Sequence, residues 1–355
     1  MAGSVPLGGE IFEVHNGYSP SLQLKAYQFV PHDETLLQHI VWRVSGSPDF
    51  TRLPSTCYGI KEEISPETFD EYLDKHVQSF INDELRPSSD EVPIFASTMR
   101  AAQEYAQGNK NLSVLVQKVL RIWVAQTFFF RSSWRICGVN TLGMEPINDP
   151  EMKFHGFIPL PRLINQQLDA QLELRVATME NELLTELQNH ILDRNSTDWF
   201  GIFLTIFVHL SSIERDTWGL NTWEHDGPTL QERFLQLNIK NSQSNPSKAF
   251  LWPLGASPSM LIGKNARLAE MLVSHFRTVS RGFVPFAADW DQNQASQVTG
   301  HEKEAVEYLK TMSQQAPKLE QYLALRQAAQ YSRDDCDSLS GKFTSKLMIS
   351  DHLDS

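Results

Sequence analysis

After about residue 60, apolar positions recur at intervals of three and four along most of the chain, the period of helices with one buried face. The clearest case begins after Pro161. At 100° per residue, Leu168, Leu172, Val176, Met179, Leu183 and Leu187 fall within a sector of about 100°. Glu186 intrudes on that sector. An earlier helix starts where Ser65 can cap and Pro66 fits the first helical position, with Phe69, Tyr72, Leu73, His76, Val77 and Phe80 on its inner face. The polar linker from Arg86 to Asp90 ends it. Leu112, Leu115, Val116, Val119, Leu120, Trp123 and Thr127 line a third helix that runs to about Trp134, and a loop rich in Gly, Asn and Pro follows from Gly138 to Pro161. Asp198 is placed to cap a helix whose first turns, Trp199 to Leu210, are apolar all round, so other helices must enclose it.

Trp218 to Ile262 reads as a long connection carrying one short helix around Leu230 to Leu237. Leu268, Met271, Leu272, Phe276 and Val279 mark another helix, stopped by Gly282 and Pro285. Val306, Leu309 and Met312 mark a further one, and Leu319 to Ala329 a last. Before residue 60 the pattern is mixed: Leu22, Leu24 and Ala26 alternate as a short strand does, and Leu36 to Val44 is apolar without a period. The expectation is a mainly α protein, a multi-helix body behind an amino-terminal part of mixed structure. Its boundaries fall at residues 1–95 for the mixed region with one helix and a polar linker, 96–332 for the helical body and 333–355 for a flexible polar tail.

Length and composition support a folded chain: 355 residues with 41% apolar and 10% aromatic side chains are ample for a core. Net charge is −12, and no run of Lys/Arg forms a local basic patch. Phosphate neutralisation dominates DNA affinity, so no direct nucleic-acid binding is expected. Met1 to Glu10 lacks the basic and apolar regions of a signal peptide, and the longest apolar stretch, Phe200 to Leu210, is far short of a membrane span. Cys57, Cys137 and Cys336 stand far apart, which suits a reducing compartment and makes the sequons at Asn111 and Asn195 chance matches.

Candidate chemistry fails motif by motif. His301-Glu302 begins a zincin pattern, but Ala305 stands where the second histidine belongs. His209 and Glu214, five apart, lie about 140° apart around a helix and cannot converge on one ion. Glu224-His225-Asp226 is a generic triplet expected in a loop. Gly263-Lys264 ends like a phosphate loop, yet Pro258 replaces its first glycine and Asn265 its hydroxyl residue. There is no Gly-x-Ser-x-Gly elbow, and Cys137 reads as a small buried hydrophobe rather than a nucleophile. A terpenoid synthase, the sharpest enzyme alternative, needs carboxylates four apart on one helix to grip magnesium. Here the paired aspartates Asp334-Asp335-Cys336-Asp337 lie in the polar tail. No catalytic, metal or DNA-binding residue and no cofactor is therefore expected. The aromatic clusters read mainly as core, while Trp123, Trp199, Phe203, Phe207 and His209 form the candidate ligand pocket.

Several phrases, in order, carry a resemblance. Leu120-Arg121-Ile122-Trp123-Val124-Ala125 precedes Arg131-Ser132-Ser133-Trp134, Ile158-Pro159-Leu160-Pro161 and Asn165-Gln166-Gln167-Leu168-Asp169. After the Leu-rich helix come Asp198 to Phe207, His275-Phe276-Arg277, Gly282 to Phe286, and Asp289-Trp290. From Val114 to Met312 the chain resembles the carboxy-terminal regulatory region of fungal binuclear zinc-cluster transcription regulators. It departs from them at the DNA-reading head, since that cluster needs six closely spaced thiolates and three isolated cysteines cannot build one. The resemblance implies a helical regulatory body acting through protein contacts in gene control, in the nucleus or shuttling between nucleus and cytoplasm. It implies a protein partner such as a full-length DNA-binding regulator, and service to a secondary-metabolite gene cluster. The rival readings are a terpenoid-synthase-like helical enzyme and a scaffold unconnected with transcription.

Overall fold

The computed structural model describes residues 9–17, 20–31, 39–43, 50–84, 94–108, 110–130, 134–150, 154–192, 198–238, 256–279, 303–313 and 316–349. The fold is mainly α, with nine helices and seven strands among the described residues. The chain divides into two compact units, residues 1–79 with 127–178 and residues 80–126 with 179–355. That division cuts across the boundaries drawn from the sequence.

The first unit is organised by a sheet. Strands β1 (Glu10–His15), β2 (Leu22–Gln28), β5 (Tyr58–Ile60), β6 (Arg135–Cys137) and β7 (Ile158–Pro159) form one antiparallel sheet in the order β5-β2-β1-β6-β7. Strands β3 (His39–Arg43) and β4 (Phe50–Pro54) pair separately. Leu22, Leu24 and Ala26 are buried on one face of β2, as their alternation predicts, and pair with Val14, Phe12 and Glu10 of β1. Helix α1 (Pro66–Glu84) begins as expected: the Thr68 N–H donates to Ser65 Oγ at 3.2 Å. Helix α4 (Arg162–Leu192) ties this unit together. Its Gln167 amide accepts the Ile60 N–H and donates to the Ile60 carbonyl, both at 2.7 Å, so a side chain satisfies the outward backbone groups at the end of β5. Arg175 grips Asp70 through two bonds of 2.9 and 2.7 Å.

The second unit is helical. It holds α2 (Ile94–Gln107), most of α3 (Ser113–Phe130), α5 (Trp199–Asn238), α6 (Pro258–Val279), α7 (Lys303–Ser313), α8 (Ala316–Gln327) and the short α9 (Thr344–Met348). Asp198 caps α5 by accepting the Gly201 N–H at 2.9 Å. Every residue from Trp199 to Leu210 is buried, as an all-apolar surface demands, with α2 and α6 packed along α5. The predicted stripe of α4 is buried from Leu168 to Leu187. Glu186, the intruder, is explained by Lys118, which lies 2.7 Å from it and 3.1 Å from Glu182.

Three expectations need correction. The pattern from Trp218 to Ile262 suggests a connection with one short helix around Leu230 to Leu237, whereas α5 continues unbroken through that stretch, Gly227 and Pro228 included, to Asn238, and residues 239–255 lie outside the described residues. Propensity penalties of about 1 kcal/mol for glycine and 3 for proline are only a weak prior on where a helix ends. The helix expected to reach Trp134 stops at Phe130, and strand β6 follows. In the segment read as a loose tail, Leu339, Phe343, Leu347, Met348 and Ile349 are buried. The helix stops expected at Gly282 and Pro285 lie outside the described residues.

Candidate functional site

All five residues of the candidate ligand pocket are buried in the second unit. Trp199, Phe203 and Phe207 rise along one face of α5, with successive ring centroids 6.2 Å apart, and Phe276 of α6 packs 5.7 Å from Phe203. Trp123 lies on α3 beneath the Arg215 guanidinium, 5.0 Å away. The ladder is flanked by a cleft of about 460 Å³ among α2, the start of α5 and α7, a volume in the range of small-molecule sites. None of the five residues lines that cleft; Arg100, Glu104, Tyr105, Phe200, Tyr308 and Met312 do.

Two hydrogen bonds fix the walls. Tyr105 donates its hydroxyl to Asp198, the same residue that caps α5, and Thr98 pairs with the Tyr308 hydroxyl. Burial pushes the Tyr308 phenol above its ordinary range, so it stays neutral. Phe200 and Tyr308 meet at 5.6 Å between ring centroids, forming an aromatic wall. Gly201 is required here, because a Cβ would stand 2.6 Å from the Tyr105 hydroxyl and 2.9 Å from Leu112. Sequence reasoning missed Thr98, Tyr105 and Tyr308: nothing in a linear pattern brings α2 to α7.

The other buried polar groups differ in how their hydrogen bonds are met. His209 is buried with neither ring nitrogen hydrogen-bonded among the described residues, and burial lowers its pKa to about 4, so it is a neutral imidazole. Glu214, also buried, accepts N–H bonds from Gly341, Phe343 and Thr344 at 2.8, 2.6 and 2.7 Å, plus the Thr344 hydroxyl at 3.1 Å. Burial raises its pKa against the pull of those bonds. Glu180 of α4 is pushed to about 7 by burial and by the Asp216 carboxylate, while Gln126 and Asn265 donate to Glu180 and Asp216 respectively.

The rejected motifs meet their structural contexts. Glu224 and His225 lie in α5 rather than a loop, and His225 stacks on Tyr331 at 5.2 Å. Gly263 and Lys264 are inside α6, where no phosphate loop can form. Burial raises the Cys137 thiol, which favours the unreactive protonated form. Asp335 and Asp337 form a local turn, with the Asp337 N–H donating to Asp335 Oδ1 at 2.9 Å. His301 and Glu302 lie outside the described residues. Among the described residues no group of three or more His, Cys, Asp or Glu is placed to hold a metal, and no helix is long and apolar enough to cross a membrane.

Comparison with known proteins finds one family: the model described as KpeA transcription factor matches residues 9–347. No curated protein and no solved structure matches the chain.

Proposed function

This chain belongs to the KpeA transcription factor family, and from that premise we propose that it controls gene expression through protein contacts, with DNA read by a partner. The observation that carries this reading is a family match across nearly the whole of a chain whose net charge is −12. Neutralising phosphates is the main source of DNA affinity, and this sequence offers no cationic surface run to do it. Its three separated cysteines cannot assemble a binuclear zinc cluster. A nuclear or nucleocytoplasmic location follows from the same reading. So does the role suggested by the resemblance to fungal zinc-cluster regulators, control of a secondary-metabolite gene cluster with a full-length zinc-cluster protein as partner. No enzymatic step enters this reading.

The test is chromatin immunoprecipitation of the tagged protein from its own host, repeated after deletion of each co-purifying zinc-cluster protein. Promoter enrichment that disappears with one such deletion is the expected result. Enrichment that survives every deletion would point to direct DNA reading, and no enrichment at all would remove the regulator role.

A second reading concerns gating by a small molecule at the cleft beside the aromatic ladder. Arg100 on its rim has no partner among the described residues, and the Phe200 and Tyr308 rings form its apolar wall. An aromatic carboxylate matches that pair, the guanidinium taking the acid and the rings the apolar body. Thermal-shift screening with benzoate and naphthoate derivatives should find ligands that stabilise the wild type and lose at least tenfold in affinity in Arg100→Ala. Equal stabilisation of both proteins would exclude this cleft.

A further inference from the structure

The sheet of the first unit has one edge that nothing described closes. Tyr27 of β2 lies opposite Gly59 of β5, and just beyond the strand the Phe29 N–H donates to the Cys57 carbonyl at 3.0 Å. In an antiparallel ladder every second residue turns both backbone groups to the same side, so Lys25 and Gln23 direct theirs toward the β5 side as well. There β5 has already ended: its pairing with β2 stops at Ala26 opposite Ile60, whereas β2 pairs with β1 down to Leu22. Neither Gln23 nor Lys25 has a backbone partner on that side among the described residues. At Ile60 of β5, by contrast, the outward backbone groups are taken by the Gln167 amide. A row of unpaired strand groups is a template for another strand.

Beside this open stretch runs a groove of about 320 Å³, walled by Gln23, Lys25, Ile60, Glu62, Glu63 and Ile64. It takes in residues of both sheet faces, Ile60 from the buried side and Lys25 from the exposed one, as a slot at the lip of a sheet must. Glu62 and Glu63 are exposed and without an ion-pair partner among the described residues. The Lys25 ammonium lies 5.4 Å from the Tyr27 ring centre, so that cation is directed to the ring.

We propose that this groove is a strand-addition site that docks an extended, basic segment of a partner protein. Its backbone would pair with Gln23 and Lys25, apolar side chains would alternate inward against Ile60 and Ile64, and Lys or Arg would reach Glu62 and Glu63. The inference rests on the reading above, that this chain works through protein contacts, and names the surface and the partner chemistry. A basic partner also suits a DNA-binding protein, whose own charge is what this chain lacks.

The test places the photo-cross-linker p-benzoylphenylalanine at Gln23 in the tagged full chain, irradiates host cells and sequences the cross-linked peptide, with promoter enrichment measured in the same cells. The expected adduct maps to another protein, within a segment where Lys or Arg alternates with apolar residues. It falls at least tenfold in the Glu62→Lys/Glu63→Lys double variant, whose thermal unfolding matches the wild type. An adduct with this chain's own residues, or with a segment lacking basic residues, overturns the proposal. Promoter enrichment without any adduct overturns the docking site alone. The expected adduct without promoter enrichment upholds the docking site and overturns the regulator reading, and the absence of both overturns both.

Discussion

His209 and Glu214 sit five residues apart on α5, both buried, and burial acts on them in opposite directions. The imidazole is held neutral, with a folded-state pKa near 4 against 6.5 for the free group. Its contribution to stability is complete above pH 6.5 and is lost as pH falls toward 4, because only the unfolded chain then takes up the proton. The difference amounts to about 3 kcal/mol. His209→Leu, similar in bulk and without buried nitrogens, should therefore unfold at higher denaturant than the wild type at pH 5, with the gap narrowing at pH 7.5. A gap independent of pH would mean that His209 is not the group responsible. Glu214 is the opposite kind of residue, fully engaged by three N–H groups and a hydroxyl. Glu214→Ala strands those donors in the interior, at about 1 kcal/mol or more each. A loss of about 4 kcal/mol in urea denaturation is expected, with fast amide exchange at Gly341, Phe343 and Thr344. Gly341→Ala should destabilise by another route: its φ is +88° and a Cβ would lie 2.7 Å from the Phe95 ring.

Much of the helical pattern was legible because a 3.6-residue period is local information: the start of α1, the buried face of α3 and the stripe of α4 agree with it, although α3 ends at Phe130 rather than near Trp134. Strand β1 was not, since its partners are β2 and the distant β6, where Glu13 meets Cys137. The length of α5 was hidden by Gly227 and Pro228, whose low helix propensity is a local signal that the helix runs through. The aromatic ladder was legible as a cluster, whereas the cleft beside it depends on α7 meeting α2, which no period encodes. Non-local packing also sets a pH response: burial, reinforced by the Asp216 carboxylate of α5, raises the Glu180 carboxyl of α4 from 4.5 to about 7. A raised carboxyl favours folding at low pH, and that contribution fades as pH climbs from 4.5 through 7. Ionising Glu180 in place should cost roughly 3 kcal/mol by pH 8. Glu180→Gln should thus be more stable than the wild type at pH 8 and equal to it near pH 4. Between pH 4.5 and 6.5 its slope opposes that of His209, so the single variant should also expose an acid sensitivity that the wild type masks.

At the scale of the whole chain, net charge bears on the proposal that DNA is read by a partner. A duplex presents a dense row of phosphates, and even non-specific binders reach dissociation constants of about 10⁻⁴ to 10⁻⁶ M by releasing counterions. With 43 acidic against 31 basic side chains, Glu62 and Glu63 of the sheet-edge groove among the acidic ones, net charge works against unaided binding under the reading proposed above. The family match runs to residue 347, past the turns at Gly341, Phe343 and Thr344 that Glu214 holds, so these carboxy-terminal turns belong to the folded body. Fluorescence anisotropy of the purified chain against labelled duplexes should accordingly show dissociation constants weaker than about 10⁻⁴ M at physiological salt. Lowering the salt should bring little gain, because few phosphates are neutralised. Addition of a partner with a basic strand segment should restore binding, with a salt slope set by the partner's own cations. Sub-micromolar binding by the chain alone, with a slope steeper than about −5, would mean that several cations converge on DNA and that the chain reads promoters by itself.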